Sequence, residues 1–278
     1  MAALSLLRTE LKQRTNNQTS LSNSILNRFI NNALEDWANT VEPLWRQYSW
    51  YITAKQFRYD LPTDWLKPKQ LHWYQNGEKE IEFLSPKEFQ RWGFLDWDRT
   101  VSSPQVYTII DNDIYLAPAP STSGNTDILT GSLTSSATST AVVDGTNFHT
   151  HGGFVLVGTE QMVHQGISTN TLTLLLRGQG GTTAAAHNAC DTIYRNDLVA
   201  TYFYVPAALS ADADVPAIDL RHHRTILHHA IASILRATGR EEEAALEMQM
   251  YEGKKGEAKR DARSYHRDTY RGIVTPYE

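Results

Sequence analysis

The sequence predicts an α+β fold: a helical bundle core with extended β-hairpin arms and an inserted small β domain. Three observations carry that expectation. Apolar residues recur at helical spacing near both ends of the chain. Between them, apolar and polar residues alternate and are closed off by turn residues. A Thr-, Ser- and Gly-rich stretch, poor in charge, interrupts that alternation. The division that follows is residues 1–121 and 196–278 as a helical body with β-hairpins and a C-terminal docking tail, and residues 122–195 as the inserted β domain.

The first helix of the body is expected over Ser5 to Arg14. A longer one follows, with Asn17 to Ser20 offering capping side chains. In it Leu21, Ile25, Phe29, Ala33, Trp37 and Val41 recur every four residues, and Leu26, Ile30, Leu34 and Ala38 fill the neighbouring row. Together they form one wide apolar face, and Pro43 marks its end. "KQLHWYQNGEKEIEFL" reads as a hairpin turned at Asn76-Gly77, and "PQVYTIIDNDIYLAPAP" as a second around Asp111 to Asp113. Ser85 and Pro86 open a short helix between them.

The alternation resumes in "DLVATYFYVPAAL". Two further helices divide near Gly239. Ile218, Ile226, Ala230, Ile231, Ile234 and Leu235 face the core from the first, and Ala244, Ala245, Met248 and Tyr251 from the second. The inserted stretch carries only Asp127, Asp144, Glu160, Arg177, Asp191 and Arg195 as charges, with short β runs separated by turns such as Gly178–Gly181.

Composition narrows the function. With 278 residues, 41% of them apolar, the chain can bury a real core. A net charge of −5 argues against a protein that grips nucleic acid through its phosphates. The single cysteine, Cys190, cannot close an internal disulfide and reads as a buried thiol. The N-terminal stretch lacks the pattern of a signal peptide, and no run approaches the length of a membrane span, so no membrane partner is expected.

Catalytic patterns are equally sparse. "RGQGGTT" fails as a phosphate loop, because Thr182 and not lysine follows Gly181 and no helix opens there. Its glycines are expected to turn the chain between strands. His222, His223, His228 and His229 crowd one helix at poor metal spacing and read as interface or half-buried histidines. His149 and His151 flank Thr150 in a loop, and Glu241–Glu243 read as a solvated helix start. No G-x-S-x-G elbow occurs. The expectation is therefore a non-enzyme with no catalytic, cofactor-binding or metal residues and no cofactor. The tail from Tyr251 to Glu278 mixes charges heavily, and a neighbouring subunit or partner is expected to hold it.

Several pieces occur in an order that resembles the head–tail connector adaptors of tailed bacteriophages. They are Tyr59-Asp60-Leu61-Pro62, Tyr115-Leu116-Ala117-Pro118-Ala119-Pro120, the Tyr-x-x-x-Pro-x-x-Leu-Ser run from Tyr202 to Ser210, and Gly239 to Ala244. The inserted stretch resembles a small β module of phage structural proteins through Glu160, Gly166, Arg177, Gly178, Gly181, Thr182 and His187, with Cys190 where that module commonly has glycine.

The resemblance implies a structural protein of the virion, assembled in the host cytoplasm. A ring of twelve copies would sit below the portal protein, meet the next tail or nozzle component, and let genomic DNA pass without sequence-specific binding. It also implies that the C-terminal segment docks into the portal or a neighbouring subunit. The residues expected there are Tyr265, Arg267, Tyr270, Arg271, Ile273, Val274 and Tyr277. The alternative is a tail or surface protein whose β module binds carbohydrate, motivated by that module and the aromatic content, although all seven tryptophans lie outside the inserted stretch.

Overall fold

The computed structural model describes residues 3–15, 21–41, 44–75, 77–93, 100–101 and 103–271, with only the backbone described at 92–93, 100–101 and 261–271. Among the described residues are five α-helices: α1 (Leu4–Arg14), α2 (Asn23–Thr40), α3 (Pro86–Gly93), α4 (Thr225–Ala237) and α5 (Glu241–Arg271). Seventeen strands accompany them. The chain divides into two compact units, Met1–Leu44 with Tyr204–Glu278, and Trp45–Phe203.

The first unit holds α1, α2, α4 and α5. Ser22 caps α2, its side chain accepting from the Ile25 amide at 3.4 Å. The caps expected at Asn17 to Ser20 lie outside the described residues, as does Pro43, while α2 ends at Thr40. The buried face of α2 is Leu26, Ile30, Ala33, Leu34, Trp37 and Ala38. It shares one apolar cluster with Leu4, Leu7 and Leu11 of α1, Ile226, Ala230 and Ile231 of α4, and Ala244 and Tyr251 of α5. Each large side chain buried this way is worth roughly 1.5–3 kcal/mol. Gly239, at φ +78°, breaks α4 from α5 where the sequence places the division.

The second unit is built of strands. Its largest sheet has eight, centred on the thirteen-residue strand Thr192–Tyr204. The first part of that strand pairs with Thr126–Ile128 and Gly153–Val157, and the later part pairs antiparallel with Trp45–Tyr51. A four-stranded sheet contains the hairpin Val106–Ile110 with Asp113–Ala117, turned at Asp111 with φ +55°. The hairpin at Gly77 joins Trp65–Trp73 to Lys79–Glu80. Ser85 and Glu88 form a reciprocal cap at the start of α3: each backbone amide donates to the other's side chain, at 3.1 and 3.3 Å.

These strands overturn the expected helical bundle core with β-hairpin arms. The protein is mostly strands in several sheets, with helices beside them, and no bundle core organises the described residues. The physical reason is that the hairpins bury their own apolar faces. Trp50, Tyr59, Leu71, Trp73, Tyr107, Ile114 and Leu198 form a cluster of their own. Such side chains provide a core and not an arm. A second cluster in the same unit comes from Leu129, Val142, Val155, Val157, Met162, Leu172 and Ile193.

Candidate functional site

The helical unit presents α5 as a two-faced rod. Its inner face is fixed by Ala244, Tyr251, Lys255 and Ala258, all buried. The Tyr251 hydroxyl donates to Asp36 Oδ2 at 2.6 Å, and the Lys255 ammonium to the same oxygen at 2.8 Å. Burial pushes the Asp36 carboxyl up, but the bonds from Lys255 and Tyr251 outweigh it and hold the group below its ordinary value. A second tie joins three helices. Glu247 of α5 accepts from Arg14 of α1 at 3.2 Å and stands 2.6 Å from His228 Nδ1 of α4. The outer face of α5 differs, with Leu246 62% and Met250 56% exposed.

The four clustered histidines are thereby accounted for. The His222 ring lies tilted against Trp37, 4.8 Å between ring centroids, and His223 Nε2 donates to the Ile218 carbonyl at 3.0 Å. His228 meets Glu247, and the His229 ring lies 5.1 Å from that of Tyr251. Burial holds His229 below the ordinary imidazole value. Among the described residues no group of three or more His, Cys, Asp or Glu is arranged to hold a metal ion.

In the β unit, the glycine-rich stretch is organised around an anion that belongs to the chain itself. Glu160 is 1% exposed. Its Oε1 accepts from Arg177 Nε at 2.8 Å and from the Gly178 amide at 3.0 Å. Its Oε2 accepts from Arg177 Nη2 at 2.8 Å, the Ala185 amide at 3.0 Å and His187 Nε2 at 2.8 Å. Burial alone would raise the Glu160 pKa. Arg177, the Ala185 amide, His187 and the Gly178 amide together bring it down to about 2. The backbone amides that a phosphate loop would aim at a nucleotide are thus aimed at a carboxylate.

The glycines have a second reason. Gly178, Gly180 and Gly181 take φ of +61°, +63° and +83°, where a side chain is strained. A Cβ on Gly180 would come within 2.7 Å of Gln161 Oε1, and one on Gly181 would strike the Arg46 guanidinium. The turn therefore lies directly on Trp45–Tyr51. Gln161 completes that contact. Its side-chain oxygen accepts from the Ser49 amide at 3.1 Å, and its Nε2 donates to the Ser49 carbonyl at 2.8 Å. A buried side-chain amide stands in for a neighbouring strand. Gln161 gives no signal in the sequence, where a glutamine next to Glu160 looks solvated.

Cys190 is exposed, not buried as expected, and sits in a turn at φ +71°. Of the residues expected to dock a partner, Tyr265, Arg267, Tyr270 and Arg271 fall in the last turns of α5. Ile273, Val274 and Tyr277 lie outside the described residues. Trp37, Trp50 and Trp73 are core residues, whereas Trp45 is 57% exposed. No described helix is long and apolar enough to cross a membrane.

Among the described residues the buried charges have internal partners, and α5 exposes Leu246 and Met250, a make-up that suits an assembling structural protein. The family comparison agrees. The model of the SU10 adaptor protein family matches residues 1–275, and the chain belongs to that family. It is a phage structural adaptor protein, and membership implies a place in the virion and interaction with phage structural components such as portal and tail. No curated protein matches the chain.

Proposed function

We propose that the chain is the head-to-tail adaptor of a tailed phage virion. Twelve copies form a ring below the portal, extend the DNA channel and join head to tail, working by binding with no bond-making step. The observation that carries this reading is the adaptor-family match along residues 1–275. The net charge of −5 suits a wall past which DNA slides without being held.

Residues 122–195 act as an inserted module of that adaptor, a reading supported by the apolar cluster drawn wholly from within them, from Leu129 to Ile193. Tyr265, Arg267, Tyr270, Arg271, Ile273, Val274 and Tyr277 make the docking segment toward the portal or a neighbouring copy. Support comes from the place of Tyr265, Arg267, Tyr270 and Arg271 in the last turns of α5, C-terminal to Lys255 and Ala258, the last buried anchors among the side chains described.

The test is electron microscopy of the purified protein with and without portal. Rings seated on the portal are expected from the full chain. Truncation after Arg260 keeps Lys255 and Ala258 and is expected to leave the fold intact while abolishing docking. Full-length protein that never forms rings with portal, or that is missing from purified virions, refutes the reading.

A further inference from the structure

Two surfaces of this chain are left uncovered in complementary ways. The first is the outer face of α5. Leu246 and Met250 stand exposed one turn apart, with Glu242 and Glu257 at the two ends of the same stripe, all four exposed. Neither glutamate forms an ion pair among the described residues. Gly253 lies on this stripe in the interior of a 31-residue helix. Glycine there costs about 1 kcal/mol relative to alanine. No atom of this chain lies within 4 Å of where its Cβ would be, so nothing within the described chain requires the missing side chain.

The second surface is in the β unit. Trp45 is 57% exposed, and the Lys69 ammonium lies 4.8 Å from its ring centroid. Phe203 pairs in register with Trp45, and the Lys67 ammonium lies 4.9 Å from its ring. Both lysines are exposed, and neither forms an ion pair among the described residues. This is an aromatic platform edged by two cations. The α5 stripe exposes Leu246, Met250 and Gly253, with an anion at each end.

From this match of charge we infer that the α5 stripe of one copy seats on the Trp45 platform of the next. The Trp45 indole lies over the open surface at Gly253, beside Met250. Methionine sulfur on an aromatic ring is a favourable contact, and Lys67 and Lys69 turn to Glu242 and Glu257. Because the two surfaces differ, the contact is head-to-tail, the kind that closes into a ring when the rotation permits. It forms the centre, not the whole, of an interface that needs about 1,600 Å² in total to be stable. The inference rests on the ring proposed above and names the surfaces that would build it.

Charge exchange tests it, read by sedimentation velocity and electron microscopy of the full chain with portal present. The double variants K67E/K69E and E242K/E257K are each expected to lose ring assembly while keeping the wild-type melting temperature. An equimolar mixture of the two is expected to assemble again, because each copy then meets a neighbour of opposite charge, and the variant carrying all four changes should assemble alone. Trp45→Ala should weaken association by about thirtyfold, the loss typical of a central aromatic anchor. If the double variants assemble as the wild type does, or if they fail and the mixture does not recover, this contact is wrong while the ring stands. A wild-type chain that forms no ring with portal overturns both.

Discussion

Replacing Glu160 by glutamine is the sharpest probe of the β unit. The change preserves shape and one acceptor oxygen but removes the charge. It also presents an NH2 group where the Ala185 amide, Arg177 and His187 all donate. The carboxyl is lowered from the ordinary 4.5 to about 2. That difference corresponds to about 3 kcal/mol favouring the charged form. Loss of one partner of a buried ion pair independently suggests about 3–5 kcal/mol. Glu160→Gln should therefore destabilise the β unit by about 3 kcal/mol.

Because two units need not unfold together, the assay is native-state hydrogen exchange at the Gly178 and Ala185 amides, which donate to the carboxylate. Protection there should fall by about two orders of magnitude, while amides of α4 stay unchanged. The pH dependence has a definite sign. A depressed folded-state pKa means that the stabilisation is fully present above about 4.5 and is lost as pH falls toward about 2. The variant should lack that acid transition. A loss below 1 kcal/mol, or an unchanged acid profile, would refute the view that this carboxylate organises the turn.

Two further outcomes are expected. Gly181→Ala should cost about 1–2 kcal/mol through its φ of +83°, with added displacement of the Arg46 side chain; thermal melting of the β unit checks it, and an unchanged melting temperature would contradict it. Tyr251→Phe removes a 2.6 Å bond to a carboxylate and should lower the stability of the helical unit by about 1.5–3 kcal/mol, measured by urea unfolding followed by helical circular dichroism.

Much of the local structure could be read from residues alone. The α2 stripe, the Gly239 break, both hairpins and the Ser85 cap follow from rules that operate within a few positions. The balance of the fold did not. Helical periodicity accumulates over eighteen residues in α2, while strands such as Glu82–Phe83 and Lys79–Glu80 are two residues long. Helical periodicity is therefore the stronger signal in the sequence, and strands this short read as appendages.

The candidate sites divide in the same way. Glu160, Arg177 and His187 were legible only through resemblance to a known module, because 17 and 27 positions separate the carboxylate from its partners. Gln161 and Ser49, 112 positions apart, carried no signal at all. Trp45 looked like its buried neighbours because a single strand-end tryptophan does not reveal which side is covered.

The long strand Thr192–Tyr204 has a mechanical consequence. It begins among the strands of residues 126–157, and its last residue already belongs to the helical unit. Tension applied at Tyr204 along this strand loads it lengthwise. Antiparallel ladder bonds lie crosswise to such a pull, so Trp45–Tyr51 and its neighbours share the load at once and do not open one rung at a time. A ladder loaded this way yields along its whole length or not at all.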